Sequence, residues 1–439
     1  MKPLSQILFI LLFIYIFSKI DYKDIDESTD PGYNELLKWG LNNSLNITNK
    51  IKFINNKKSK KYVAKNLIPE EDVIMDIPPE CMMNVQKTLS LLHSKKFTKA
   101  YKTYEELDKA NVNSADDNQI DQTFLAFILY VVNHKKKSYE KNKFYEYYKN
   151  MFYMFEDDLD SLPFYYSSEQ MRFFFNTSFG SVFEIINHYI NNEVSTYERK
   201  VYKKPVIYEE YLPYRIFTIQ KSYDVNGEKN IVPYIDYIKK SFKDVNCELK
   251  VEDGHIIIKA IHNIFPGEDL VMKPTTVSNQ HRFIFFGQTY DELLDIFPSY
   301  SIPTVITQFI TNVPINLDSN TLGENGENNR VDLVQTDFYK KVTDVYKIIS
   351  EKIGEDGSEE SACKLLLKYL KKIRSNFDYV TNEDIRKAFF KQNDIDNVKR
   401  IIEGEKNFID KKINDLKTYI KTLVKQNKEK EVDEKVNEL

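Results

Sequence analysis

The chain has 439 residues, enough for two or three domains each with its own core. Its 42% hydrophobic and 14% aromatic content can fill such cores, which excludes an intrinsically disordered protein. A net charge of -4 excludes a nucleic-acid binder that depends on a globally basic surface, and the run Lys57-Lys58-Ser59-Lys60-Lys61 reads as solvated loop.

The first twenty residues set Lys2 ahead of an unbroken apolar run from Ile7 to Phe17, followed by the acidic stretch DYKDIDESTD. That run is too short for a hydrocarbon core needing about 20 apolar residues, so residues 1–20 are expected to be a cleaved secretory signal. An uncleaved anchor is the alternative, since no clean small-x-small cleavage site follows. Residues 21–33 form an acidic segment, and the mature chain is expected in a lumen or secreted, without stable membrane insertion. Asn42, Asn46 and Asn176 fit the N-glycan acceptor pattern, which is frequent by chance in an Asn-rich chain. Cys81, Cys247 and Cys363 are scattered, with no CxxC pair and no metal spacing; at most one disulfide is possible, and buried thiols are equally expected. The terminal VNEL is a loose relative of KDEL-type retention signals.

Asn34 to Leu45 places Leu36, Leu37, Trp39 and Leu41 as in a short amphipathic helix ending near Gly40. Strands are expected at Tyr62–Ala64 and Val73–Ile77, with a turn at Pro69 and a double-proline stop. Thr123 to Asn187 carries Phe, Tyr and Leu at helical spacing. Ile231 to Met272 returns to strands, with IIIKAI between the turns EDG and PGED. From Asp337 the pattern is helical, and Ile409, Ile413, Leu416, Ile420 and Leu423 form a seam at 4-3-4-3 spacing. The seam lasts only about two heptads, so a bundle helix is expected in preference to an intermolecular coiled coil. The order predicts an α+β fold: a β-rich domain in two parts, 34–90 and 216–300, split by a helical insert at 91–215. A linker at 301–336, an all-helical domain at 337–426 and a charged tail at 427–439 follow.

Isolated chemistry is sparse. His255 and His262, seven residues apart on one expected strand, fall on opposite faces, which argues against a shared metal. His93, His134, His188 and His281 show no ligand spacing. Ser178, in NTSFG, lacks a nucleophile-elbow pattern and a base. The aromatic run from Phe173 to Phe175 reads as core.

In shared order from about Asn34 to Gln426 stand NELLKWGLNNS, LAFILYVVNHKK, FYEYYKNMF, DSLPFYYSSEQM, IVPYIDYI, DGHIIIKAIHNIFPGEDL, SNQHRFIFFG followed by YDEL, YVTNEDIRKAF and RIIEGEKNFI. On these pieces the chain resembles the SET-domain family typified by the Rubisco large-subunit lysine methyltransferase, and its Asn- and Lys-rich bias suits an AT-rich, malaria-type genome. The resemblance implies a SET fold split by a helical insert, a helical substrate-binding domain, and methyl transfer from S-adenosylmethionine to lysine. The positions that carry that chemistry differ here. The family's glycine-containing cofactor loop aligns with Ser59, Lys60 and Lys61, and its Asn-His pair, counted from Pro233 and Asp236, aligns with Lys239 and Lys240. Its Ser-Arg pair falls on Lys221 and Ser222. The Tyr-Gly pair beside the transfer channel becomes Pro274 and Thr275, and the second tyrosine becomes Phe286, ahead of Gly287. Tyr290 is a candidate displaced tyrosine, for which a structural role is more ordinary. Asp236, Gly267, Glu268 and Asn279 survive at turns and strand junctions.

These departures point to a degenerate, non-catalytic protein with no cofactor, and the charge and the histidine and cysteine spacing point to no nucleic-acid partner and no metal. It would bind protein segments through the groove or the helical C-terminal domain, in a secretory or vacuolar lumen such as a parasitophorous vacuole. The alternative is a divergent S-adenosylmethionine-dependent lysine methyltransferase.

Overall fold

The computed structural model describes residues 30–56, 59–109, 117–140, 144–145, 148–149, 159–174, 177–274, 278–293, 301–303, 330–332, 356–389 and 391–437. The leader, Asn176, Thr275 and the start of the helical region at Asp337 lie outside them. The chain divides into two units, one of residues 1–157 with 190–275 and one of residues 158–189 with 276–439.

In the first unit, Asp30 accepts hydrogen bonds from the N–H groups of Gly32 and Tyr33 at 3.0 and 3.1 Å, and Pro31 suits a first helical turn because it has no N–H to satisfy. Helix α1 therefore spans Pro31–Asn42, starting before the expected Asn34. Gly40 lies inside it and does not stop it. A Cβ there would meet Tyr234 Oη at 2.1 Å, so the glycine serves close packing.

The sheet consists of β1 (Asn46–Ile47), β4 (Val73–Ile77), β7 (Lys239–Lys240), β8 (Cys247–Glu252), β9 (His255–Ala260) and β10 (Val271–Met272), in the order β1-β4-β9-β8-β10-β7. All pairs are antiparallel except those of β10, which runs parallel to β8 and β7. Ile74, Met75, Ile256 and Ile258 are completely buried in its core. The expected EDG turn is present: Asp253 and Gly254 both have positive φ, 51° and 81°, which suits a tight hairpin between twisted strands.

A second hairpin joins β2 (Ile51–Asn56) to β3 (Ser59–Ala64), with Ile51 opposite Ala64. The stretch Ser59 to Lys61, expected as solvated loop, is thus strand. Tyr62, Val63 and Ala64 are buried and anchor it, while Lys61 Nζ lies 2.6 Å from Asp269 Oδ1. A third hairpin pairs β5 (Ser222–Val225) with β6 (Glu228–Ile231) around Asn226-Gly227.

The helical insert supplies α2 (Val85–Leu92), α3 (Lys95–Lys109), α4 (Asp117–His134), α5 (Ser178–Thr196), a π-helical turn at Tyr197–Tyr202, and α6 (Tyr208–Lys221). Phe124 to Val132 of α4 are buried on all faces, so α4 is the insert's core. A buried ion pair crosses it, with Arg215 Nε donating to Glu193 Oε2 at 3.1 Å.

The second unit holds the beginning of α5, then α7 (Asn279–Phe286), α8 (Glu359–Asn376), α9 (Asn382–Ala388) and the long α10 (Gln392–Asn437). α10 packs along α8. The expected seam points into this packing: Ile409, Ile413, Leu416 and Leu423 are buried and Ile420 half-buried.

Cys81, Cys247 and Cys363 are all buried free thiols, so the disulfide left open by their number is not formed. Among the described residues no three His, Cys, Asp or Glu side chains could hold a metal together, and no helix is long and apolar enough to cross a membrane.

Candidate functional site

The Pro233–Asp236 turn follows β6, whose last residue, Ile231, exchanges backbone hydrogen bonds with Met83. Tyr234 sits at φ +73°, a conformation aromatic residues rarely adopt and that costs of order 1–3 kcal/mol. Two contacts hold it there: its hydroxyl donates to Leu36 O at 2.8 Å, and Gly40 leaves room for the ring. The turn then delivers Asp236 to the end of α6, where Lys221 Nζ lies 3.2 Å from Asp236 Oδ2. The side chains are 12% and 18% exposed, so this is a largely buried ion pair, in charge contact without a well-aligned hydrogen bond on Oδ2. Ser222 is turned away, donating its hydroxyl to Thr218 O at 2.5 Å.

Lys239 and Lys240 form β7 beside β10. The Lys239 N–H donates to Leu270 O at 3.0 Å and its side chain is exposed, while Lys240 Nζ reaches Ile235 O at 3.4 Å. β10 leads to Pro274, which is buried and has no N–H to offer.

An aromatic cluster packs beside this turn, and the sequence reading missed it. Tyr33 of α1 stacks on Phe53 of β2 with ring centroids 3.9 Å apart. Tyr237, next to Asp236, lies 4.8 Å from Phe53 and 5.7 Å from Tyr62 of β3. Tyr33 Oη donates to Tyr62 Oη at 3.2 Å. Burial holds both phenols well above their usual pKa, so they remain neutral. A sequence signal did exist: Tyr62 directly follows the aligned lysines and Tyr237 directly follows Asp236.

In the second unit, α7 starts at Ser278, whose hydroxyl accepts the His281 N–H at 3.4 Å, and ends at Gly287 in the left-handed conformation. Phe286, its last residue, lies under the Arg282 guanidinium, with Cζ 4.0 Å from the ring centroid. Arg282 is buried and also donates to Gln288 Oε1 at 3.1 Å and to Tyr290 Oη at 3.4 Å. Tyr290 is held structurally: Asn279 accepts its N–H and donates to its carbonyl, both at 2.8 Å. Burial, reinforced by the Arg282 charge, pushes His281 down to about 4. Asn397 of α10 receives the Thr289 N–H at 3.1 Å and donates to Gly287 O at 2.8 Å, so a side chain of the long helix fixes this segment's backbone.

Ser178 donates its hydroxyl to Glu405 Oε2 at 3.0 Å and its N–H to Oε1 at 2.5 Å, while Gln280 donates to the hydroxyl at 3.2 Å. A carboxylate thus caps the first turn of α5, which suits a helix start. His255 pairs with Asp76 at 2.7 Å. His262 lies beyond the end of β9 and is exposed, so the two histidines do not share a strand, contrary to expectation. His134 meets Glu210 at 2.7 Å, His93 is the left-handed cap of α2, and His188 is exposed on α5. Asn42 and Asn46 are exposed.

No protein-family profile matches the chain, and no curated protein matches it. Among solved structures it is similar to the SET domain of LSMT bound to methyl-lysine and AdoHcy, with a TM-score of 0.62 at 15% identity. It is also similar to Rubisco LSMT bound to sinefungin and monomethyllysine (TM-score 0.62, 14% identity) and to Rubisco LSMT bound to AdoMet (TM-score 0.57, 14% identity). Each likeness covers 89% of this chain and 92% of the other. At such identities the likeness shows the fold, a SET-like α+β fold with a helical C-terminal region.

Proposed function

We propose that the chain is a non-catalytic SET-like protein that binds other proteins through the SET-like groove or the C-terminal helices, in trafficking, export or complex assembly within a secretory or vacuolar lumen. The observation that carries this reading is the Lys221–Asp236 ion pair. The retained aspartate of the cofactor turn has an internal cation as its partner.

S-adenosylmethionine, which the similar structure binds as AdoMet, is a poor fit to the residues present. It brings a sulfonium and an ammonium, with one carboxylate, to a turn where Lys221 already meets Asp236 and Lys240 Nζ already reaches Ile235 O. Where the family brings glycine backbone close to the cofactor, β3 presents Tyr62, buried among Tyr33, Phe53 and Tyr237. Pro274 supplies neither a phenol nor an N–H, and Phe286 supplies no phenol.

Calorimetric titration with S-adenosylmethionine tests this. No heat of binding is expected up to about 1 mM, equivalent to less than roughly 4 kcal/mol of affinity. Micromolar affinity, or methyl transfer to a lysine peptide by the purified chain, overturns it.

A second reading, a divergent lysine methyltransferase, is favoured by the likeness over 89% of the chain to Rubisco LSMT bound to AdoMet. The lumenal location rests on the leader. Mass spectrometry of the native N-terminus is expected to find the chain starting between Phe17 and Asp26, and intact Met1 would refute cleavage.

A further inference from the structure

In the first unit, α3, α4 and the π-helical turn line an open cavity of about 350 Å³, within the size range of small-molecule sites. Five lysines line it: Lys96 and Lys99 on α3, Lys135 after α4, and Lys200 and Lys203 on the turn and just past it. No Asp or Glu lines it, although the whole chain carries more acidic residues than basic ones. Among the described residues none of the five stands in an ion pair. Two of them meet an aromatic ring instead, with Lys96 Nζ 4.8 Å and Lys135 Nζ 5.5 Å from the centroid of Tyr202, and Lys204, outside the lining, lies 6.0 Å from the same ring.

The backbone is arranged to hold this cluster. Tyr197 is completely buried and stacks on Phe127 at 4.3 Å and on Tyr104 at 4.9 Å, which fixes the start of the π-helical turn. Within this wider turn Lys200, Val201 and Tyr202 all line the cavity. It closes at Lys203 with φ +57°, a left-handed conformation that costs a non-glycine residue energy. Like charges collected at one mouth repel one another, and a multivalent anion removes that repulsion. The lining also carries apolar surface, from Phe97, Phe127 and Val131, and Phe127 packs edge-on against Tyr202 with ring centroids 5.4 Å apart.

We infer that this cavity binds a compound carrying two or more adjacent phosphate groups joined to an apolar or aromatic part. A soluble phosphate ester or a phosphorylated lipid headgroup could present that chemistry. The inference stands independently of the proposed function, since it involves neither the Asp236 turn nor S-adenosylmethionine.

The test is titration of the purified chain with ATP, inorganic tripolyphosphate and adenosine, together with sedimentation on phosphatidylcholine vesicles with and without phosphatidylinositol bisphosphate. ATP is expected to bind more tightly than tripolyphosphate, adenosine to show no binding, and affinity to fall steeply as salt rises. The double variant K96E/K135E should weaken binding at least about tenfold with an unchanged melting curve, and K96Q/K135Q should fall between it and the native chain. Binding confined to the phosphoinositide vesicles and lost in K96E/K135E supports the site with a lipid source. The inference fails if neither polyphosphate nor phosphoinositide vesicles bind, if adenosine binds as well as ATP, or if K96E/K135E binds as tightly as the native chain.

Discussion

Lys221 Nζ lies 3.2 Å from Asp236 Oδ2, joining the last residue of α6 to a turn fixed by the strained Tyr234. Removing one member of such a pair leaves a charge with little access to water, which costs more than the pair itself contributes. Lys221→Ala is therefore expected to destabilise the first unit by about 2–4 kcal/mol, read from urea unfolding. The double variant Lys221→Met with Asp236→Asn should recover most of that loss. A single variant as stable as the native chain would mean that water reaches Asp236 freely.

Gly40 separates two physical arguments of opposite sign. By helix propensity alone, Gly40→Ala should stabilise α1 by about 1 kcal/mol. By packing, its Cβ would meet Tyr234 Oη at 2.1 Å and Leu45 Cδ2 at 2.9 Å, and the ring cannot move without breaking its bond to Leu36 O. Net destabilisation of about 3 kcal/mol is expected, partly relieved when Tyr234→Phe removes the hydroxyl. A more stable Gly40→Ala chain would refute the close approach.

Neither of these two relationships was legible in the sequence, whereas several elements were. Short strand-like apolar runs exposed β4 and β9, paired turn residues exposed the β8–β9 hairpin, and the 4-3-4-3 seam exposed the buried face of α10; together they led to the α+β class. Such signals are local. Gly40 was read as a helix stop by a local rule, whereas its reason is a hydroxyl far away in sequence. Lys60 and Lys61 were read as loop from their charge, yet the three apolar residues after them and Asp269 draw them into β3. At the candidate site the residues set against the resembled family's motifs were read one at a time. The cluster of Tyr33, Phe53, Tyr62 and Tyr237 was not, because it is assembled from four separate segments.

His281 gives the fold a pH dependence of definite sign. Burial and Arg282 hold its folded pKa down to about 4, below the 6.5 of an exposed imidazole. Between these values the unfolded chain binds the extra proton, so stability is full above about pH 6.5 and falls as pH drops toward 4. About 2 kcal/mol should be lost between pH 7 and pH 5 through this residue. Urea unfolding at both pH values, compared with His281→Gln, isolates it. An equal loss in the variant would assign the pH dependence to other groups.

Phe286→Tyr restores one phenol of the resembled family and should restore nothing else. The Arg282 guanidinium lies 4.0 Å from the ring centroid and interacts with tyrosine as with phenylalanine, so stability should change by less than about 1 kcal/mol. Catalysis is a different matter, because each missing preorganised polar group at a transition state costs about a hundred- to a thousandfold, and such groups act as a unit. Pro274 still lacks both phenol and N–H, the Lys221 ammonium still meets Asp236, and Tyr62 still occupies β3. The variant should therefore transfer no methyl group from labelled S-adenosylmethionine to lysine peptides and show the same flat calorimetric titration as the native chain. Turnover in Phe286→Tyr would mean that the remaining substitutions do not obstruct the chemistry. A divergent methyltransferase, one phenol short of activity, would then replace the non-catalytic reading.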